Sequence, residues 1–481
     1  MGLDYKLLLL SIQIVLPNLQ VVAAQSACST TLTPDYPAPS LASGYRAQLV
    51  ANGLSSPRAI TFDKNGNLLV IDQGKGVIAF SFDGDGTCLS DRRTVVNDGS
   101  LNHGLQVSND GKTLYASTSE SVSAWNYDAE AREVRGDQRI LVENMSNNGG
   151  HISRTLLLSK KVNGTLVVSR GSEGNFDLQT LDVTSGHSQI KAFDLTDDTN
   201  LPYDYNNDGL LLGWGLRNSV GVAEHPQSGG IYSVENSIDE MEREGEDIHE
   251  DNPGEELNYH GTLQDNDFSG QGKNYGYPVC FAAWDVDSIP GNDDIHVGDQ
   301  FAIGEQNSTV NDTICSEDRI APRLTFEAHT APLDLVFNEG GTEAWVSFHG
   351  SWNRDDPAGY YVGMIRFNEE GEPVEDSDST SAAISIMANQ GTSRCPDDCF
   401  RPVGLAFDSR GRLFMSSDRT GEIYAIIKDE DSQGTPTTSE TPSGTETGGA
   451  AATTTGSASS MHGKQSGIAM LIALMIHVFF L

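Results

Sequence analysis

The chain has 481 residues, enough for a large buried core, and its 68 acidic against 30 basic side chains give a formal net charge of −38. So acidic a surface repels a phosphate backbone, which excludes nucleic acid as a partner and favours solubility. Six cysteines with no C-x-x-C pair argue against a thiolate metal site and, in an oxidising compartment, allow three disulfides.

In chain order, residues 1–24 carry Lys6, an apolar run from Leu7 to Leu16 and small residues at Val22-Ala23-Ala24. That is the pattern of a secretory signal peptide cut after Ala24. Residues 25–430 follow as one domain, with N-x-S/T sequons at Asn144, Asn163, Asn307 and Asn311. Cys395 and Cys399 bracket a tight Pro-Asp-Asp turn. Cys280 with Cys315 would close a loop and Cys28 with Cys88 would pin the N-terminus, one pairing among the several that six cysteines allow.

Residues 431–459 are rich in Ser, Thr, Gly and Pro and cannot bury enough apolar surface to fold, so they read as a stalk. Residues 460–481 end in an apolar run from Gly467 to Leu481, preceded by the small residues Ser457-Ala458-Ser459. This fits a glycosylphosphatidylinositol (GPI) anchor signal that is removed on processing. The expectation is an extracellular, cell-surface protein that meets the membrane only through that anchor.

Six stretches inside the domain share one plan, an apolar strand, a turn rich in Asp, Asn and Gly, then a second apolar strand. They begin at Pro57, Asn102, Gly150, Arg217, Pro332 and Arg401, the first reading "PRAITFDKNGNLLVIDQG". Such turns between β-rich runs mark hairpins. Six hairpins with further strands in the spacers predict an all-β, six-bladed β-propeller. The spacing widens after the fourth unit, so a long insertion over residues 238–330 is expected between blades four and five.

The second strand of a hairpin ends beside the start of its first, so both lie on one face of the propeller. The starts supply Arg58, His103, His151, Arg217-Asn218 and Arg401, and the ends supply Asp72, Glu235-Asn236, His349 and Asp418-Arg419. A chain poor in basic residues thus gathers Arg and His at one mouth of its central channel. Such a ring needs an anionic guest or nearby acids, and the planar guanidinium fork suits carboxylates or phosphates.

No G-x-G-x-x-G opens a helix, and neither a P-loop nor a G-x-S-x-G elbow occurs, so nicotinamide, flavin, ATP and serine-hydrolase chemistry have no conventional seat. "DYNNDG" from Asp204 matches the first half of a calcium loop, but Gly215 stands where the closing Glu belongs, which favours an ordinary Asx-rich turn.

The stretches "GGHISR", "GLRNSVGVAEHP", "NYGYP", "FHGSWNR" and "RPVGLAFD" resemble the soluble quinoprotein glucose/sorbosone dehydrogenases. They are most similar to the fungal pyranose dehydrogenases that use pyrroloquinoline quinone (PQQ). The resemblance implies a PQQ- and Ca²⁺-dependent oxidoreductase that oxidises an aldose or ketoaldose at C1. It implies His151 as general base while hydride passes to the quinone, with Arg217 and Asn218 beside the reacting quinone oxygen. Arg58, His349 and Arg401 would hold the cofactor's carboxylates, Trp352 would wall the site, and His103 would meet the substrate. Calcium would sit at Asn236 and Ser237, held largely by backbone carbonyls. Electrons would pass to an external acceptor, a redox protein or a quinone.

Two departures from the bacterial glucose enzymes stand out. Their Gly-Pro at the calcium positions is Asn236-Ser237 here, and the acid that supports their catalytic histidine aligns near Ser172 or Glu173. Two other readings use the same architecture. A calcium-dependent propeller lactonase would need an axial metal held mainly by acids such as Asp72, Glu235 and Asp418. A non-catalytic recognition propeller would have no use for His151 together with the arginines.

Overall fold

The computed structural model describes Cys28 and residues 31–429, apart from positions 35, 84, 148 and 265–267. The signal, stalk and anchor segments read from the sequence lie outside the described residues. Within them the six hairpins become the two inner strands of six sheets.

Blade 1 runs Pro57–Phe62, Leu68–Asp72, Gly76–Asp83 and Cys88–Val96. Blades 2 and 3 begin at Leu105–Val107 and Leu156–Leu158, and blades 4, 5 and 6 at Ser219–Glu224, Pro332–Phe337 and Pro402–Phe407. Each of these innermost strands neighbours the innermost strand of the next blade, which closes the ring around the axis. Blade 6 is completed by the N-terminal strand Tyr45–Ala51, paired antiparallel with Glu422–Lys428, so the two ends of the described chain lock the ring.

The second strands Leu68–Asp72 and Gly230–Glu235 are buried along their whole length, because each is covered on both faces by adjacent blades. The outer strand Cys88–Val96 is exposed through its middle. The core is accordingly a series of separate apolar layers between neighbouring blades. Phe414 and Phe80 fill the layer between blades 6 and 1, and Val346 and Leu324 help fill that between 5 and 4. A small cluster of Val220, Leu333 and Val403 sits where the inner strands of blades 4, 5 and 6 face one another.

The segment over 238–330 lies inside the fourth blade's span and also builds that blade. It contributes the third and fourth strands, Glu255–Thr262 and Leu324–Phe326. The true insertion consists of the hairpin Glu242–Arg243 with Glu246–Asp247, the paired strands Cys280–Ala282 and Gln300–Ala302, and the helix Asp312–Asp318. It has its own apolar core of Ile238, Met241, Ile248, Tyr277, Phe281 and Phe301. Disulfides join Cys28 to Cys88, Cys280 to Cys315 and Cys395 to Cys399.

The "DYNNDG" turn holds a lysine instead of a metal. The buried Lys191 ammonium donates to the carbonyls of Tyr205 at 2.7 Å and Asn206 at 3.1 Å, while Asp204 Oδ1 accepts from the Asn206 N–H. The turn's oxygens are directed at a cation that the chain itself supplies.

Candidate active site at the mouth of the channel

Strand register places the predicted residues at one mouth. Pro57 pairs with Asp72, Ser219 with Glu235, Pro332 with Phe348 and Pro402 with Ser417, so strand starts and strand ends meet there. The ring nevertheless divides into two groups.

The first group joins blades 1, 5 and 6 around one carboxylate. Arg58 donates to Asp418 Oδ2 at 2.8 Å, and His349 Nε2 lies 2.9 Å from Asp418 Oδ1. Arg401 is turned onto backbone, donating to the carbonyls of His349 at 3.1 Å and Gly350 at 2.7 Å. Burial alone would raise the Asp418 pKa, but His349, Arg58 and Arg401 outweigh it and hold the group well below the usual carboxylate range. Burial and then Arg401 push His349 down to about 4, against the pull of Asp418. His103 is buried beside this group, lowered by burial and then by Arg58. Nδ1 of His103 and Nδ1 of His349 are buried without a hydrogen-bond partner.

The second group lines a narrow cleft. His151, Arg217, Asn218, Asn236, Ser237 and Trp352 all border it, with Asp239, Glu255, His329 and Asn353. His151 is reached through Gly150, whose φ of +67° and close approach to the Glu173 carbonyl leave no room for a Cβ. That glycine serves contact with the protein's own backbone. Burial, then Arg217, lower the His151 pKa well below its ordinary value; a backbone hydrogen bond with Ser172 opposes this and Arg154 adds to it. The imidazole is therefore neutral at ordinary pH and able to accept a proton.

Arg217 spans this cleft, donating to Asp239 Oδ2 at 2.6 Å, Asn175 Oδ1 at 3.0 Å and the Asn236 carbonyl at 3.3 Å. Its backbone N–H donates to Glu235 at 2.7 Å. Glu255 accepts from the N–H groups of Ser237 at 2.7 Å and Ala331 at 3.1 Å. Burial raises Glu255 to about 7 although both N–H bonds and Arg217 oppose it. His329 and Ala331, on the cleft wall, hold left-handed backbone with φ of +62° and +52°. Strain of this kind in non-glycine residues collects at functional sites.

Asn175, Asp239, His329 and Asn353 escaped the sequence reading because they come from loops, and Glu255 because it opens a strand that belongs to no hairpin repeat. Trp352 is 55 % exposed, an unusual state for so large an apolar ring.

These features fit a flat polyanion. An uncovered indole stands beside a guanidinium and an amide, and at the same mouth Arg58 and Arg401 act on the single acid Asp418, Arg58 by a direct hydrogen bond. The Asn236 carbonyl already accepts from a guanidinium, and Asp239 and Glu255 face the same cleft, so oxygen donors for a cation are present. The acids that an axial hydrolase metal would need are engaged separately. Asp72 caps the Ser55 and Ser56 N–H groups, Glu235 takes the Arg217 N–H, and Asp418 takes Arg58 and His349.

The TrAA12-like family model matches residues 39–429. The chain is 47 % identical to a pyrroloquinoline quinone-dependent sugar dehydrogenase of Hypocrea jecorina, over 85 % of this chain and 94 % of that one. It superposes with a TM-score of 0.81 and 47 % identity on a calcium structure of a Trichoderma reesei carbohydrate-active enzyme of family AA12, covering 84 % of this chain and 100 % of that one. With the holo form of the pyranose dehydrogenase PQQ domain from Coprinopsis cinerea the TM-score is 0.78 at 33 % identity, over 83 % and 99 % of the two chains. The chain belongs to the TrAA12-like family and is an oxidoreductase.

Proposed function

We propose that this chain is a PQQ-dependent sugar dehydrogenase that oxidises an aldose or ketoaldose at C1. The observation that carries the proposal is the convergence of His151, Arg217, Asn218 and Trp352 on one cleft at the channel mouth, in a chain whose relatives are named for PQQ and sugars.

PQQ, when bound, supplies a quinone able to accept hydride from the sugar. The chain's own residues do the rest. His151, neutral and lining the cleft, takes the proton of the anomeric hydroxyl. Arg217 and Asn218 would present donors to the quinone oxygens, stabilising negative charge there, and the Arg217 guanidinium is set in advance by Asn175 and Asp239. Arg58 and Arg401 would form a cationic wall for carboxylates, with Asp418 as internal counter-ion and the neutral His349 as a further hydrogen-bonding group. Trp352 offers an apolar face to a planar ring. Ca²⁺ would be held at the carbonyls of Asn236 and Ser237, with Asp239 and Glu255 nearby, and would add Lewis acidity there.

The protein works outside the cell, held at the surface by a GPI anchor, and passes its electrons to a redox protein or a quinone. Three disulfides and the sequons support an oxidising, secretory route. Release from cell surfaces by a phosphatidylinositol-specific phospholipase tests the anchor, and persistence on the membrane would reject it.

The decisive experiment is dye reduction by full-length protein secreted from a host that makes no PQQ. A panel of aldoses and ketoaldoses is tried with PQQ and Ca²⁺ added singly and together. Activity that requires both supports the whole reading. Activity with PQQ alone removes calcium from it, and absence of both activity and PQQ binding rejects it.

A further inference from the structure

We propose that Ser172 is the positioning residue that fixes the tautomer of His151 and turns its acceptor nitrogen toward the cleft. This rests on the reading of His151 as the base. His151 Nδ1 lies 2.8 Å from Ser172 Oγ. A serine hydroxyl has one proton, and this one is donated to the Gly174 carbonyl at 2.7 Å. The hydroxyl must therefore accept from the imidazole, so Nδ1 carries the hydrogen. Nε2 keeps its lone pair, the form a general base requires.

The serine is itself held rigidly. It is completely buried, its N–H donates to the Arg217 carbonyl at 2.9 Å, and its carbonyl accepts from the His151 N–H at 3.1 Å. It thus stands between the base and the arginine. Three residues on, Asn175 takes the Arg217 guanidinium at 3.0 Å and the Asp239 N–H at 2.8 Å. The loop is fastened behind by Asp177. Its carboxylate accepts from the Glu173 N–H at 2.9 Å and meets His187 Nδ1 at 2.6 Å, and its own N–H donates to the Tyr277 hydroxyl at 2.6 Å. One short loop therefore sets both groups that would face the reacting atoms.

The contact to Nδ1 is neutral. The adjacent acid, Glu173, takes the Gln179 amide at 3.0 Å. The charged groups acting on His151 are Arg217 and Arg154, both cationic, and the buried Arg154 donates to the His151 carbonyl at 2.9 Å. A carboxylate at Nδ1 would favour imidazolium, whereas a hydroxyl orients the ring and leaves it neutral.

The test begins with full-length protein labelled with ¹⁵N-histidine, free of cofactor. Two-bond ¹H–¹⁵N correlations are recorded, with His151 assigned by its loss in His151→Gln. The proposal expects protonated Nδ1 in the wild type, a tautomer mixture in Ser172→Ala and the wild-type pattern in Ser172→Thr. In turnover, Ser172→Ala should lower kcat by roughly ten- to a hundredfold with sugar KM and PQQ affinity unchanged, and Ser172→Thr should recover much of the loss. A protonated Nε2 in the wild type overturns the proposal, as does a Ser172→Ala protein with unchanged spectrum and kcat. If Ser172→Ala does not fold, the wild-type and Ser172→Thr spectra still decide. Full activity in His151→Gln would instead reject the base assignment, while the spectra continue to judge Ser172.

Discussion

The two sides of the channel mouth use similar residues for opposite ends. Around Asp418 one arginine and a histidine share one carboxylate, and backbone carbonyls take the neighbouring Arg401. Around His151 and Arg217 the partners are hydroxyl, amide and carbonyl groups and one carboxylate, Asp239, and an indole stands uncovered beside a narrow cleft. The first side is a closed electrostatic unit whose loss should be felt in stability. The second is organised by loop contacts together with the Arg217–Asp239 ion pair, and it borders the cleft, so its loss should be felt in turnover.

The largest effect that separates them is expected at His151. Replacement by glutamine should reduce kcat/KM for the sugar by roughly 10²–10⁴-fold, with the melting temperature little changed because the imidazole's hydrogen bonding runs through the one residue Ser172. Paired kinetics and thermal melts check this, and a large stability loss would show that the open side is structural too.

Asp418→Asn should behave in the reverse way. It leaves the nearly buried Arg58 without its carboxylate, a situation that costs about 3–5 kcal/mol. Denaturant unfolding measures it, and a loss below about 1 kcal/mol would mean that the closed side is stabilised by its backbone contacts alone.

A pH series sharpens the same contrast. The folded-state pKa of Asp418 is depressed, so its contribution is complete above the ordinary carboxylate value and disappears as pH falls through the folded value. The stability gap between wild type and Asp418→Asn should accordingly be constant from pH 7 to about 5 and shrink below about pH 4. A gap that persisted at acid pH would place the effect in packing.

How far the sequence could be read follows the same division. Hairpin geometry is local, so the starts and ends of the six repeats were visible from turn chemistry, and with them Arg58, Arg217, His349 and Arg401. Glu255–Thr262 and Leu324–Phe326 carry no hairpin turn between them and are separated by the insertion. Their place as the outer strands of blade 4 was therefore hidden. Asn175 and Asp239 meet Arg217 across long sequence separations, from the loop clasped by Asp177 and from the 238–330 segment. The spacing of Ser172, Asn175 and Asp177 just beyond the Thr165–Arg170 strand was the one hint available.

The smallest effect is expected at Trp352, and it tests whether the open side is open for a reason. A ring that is 55 % exposed contributes little to folding, so Trp352→Ala should leave the melting temperature within about a degree. If the indole waits for a planar guest, its loss removes a stacking contact worth about 0.5–1.5 kcal/mol, or roughly two- to tenfold in PQQ affinity by fluorescence titration. The same substitution should leave the sugar KM unchanged at saturating PQQ. A raised sugar KM with intact PQQ binding would give the indole to the substrate instead, and would place the cofactor wholly against the arginines of the closed side.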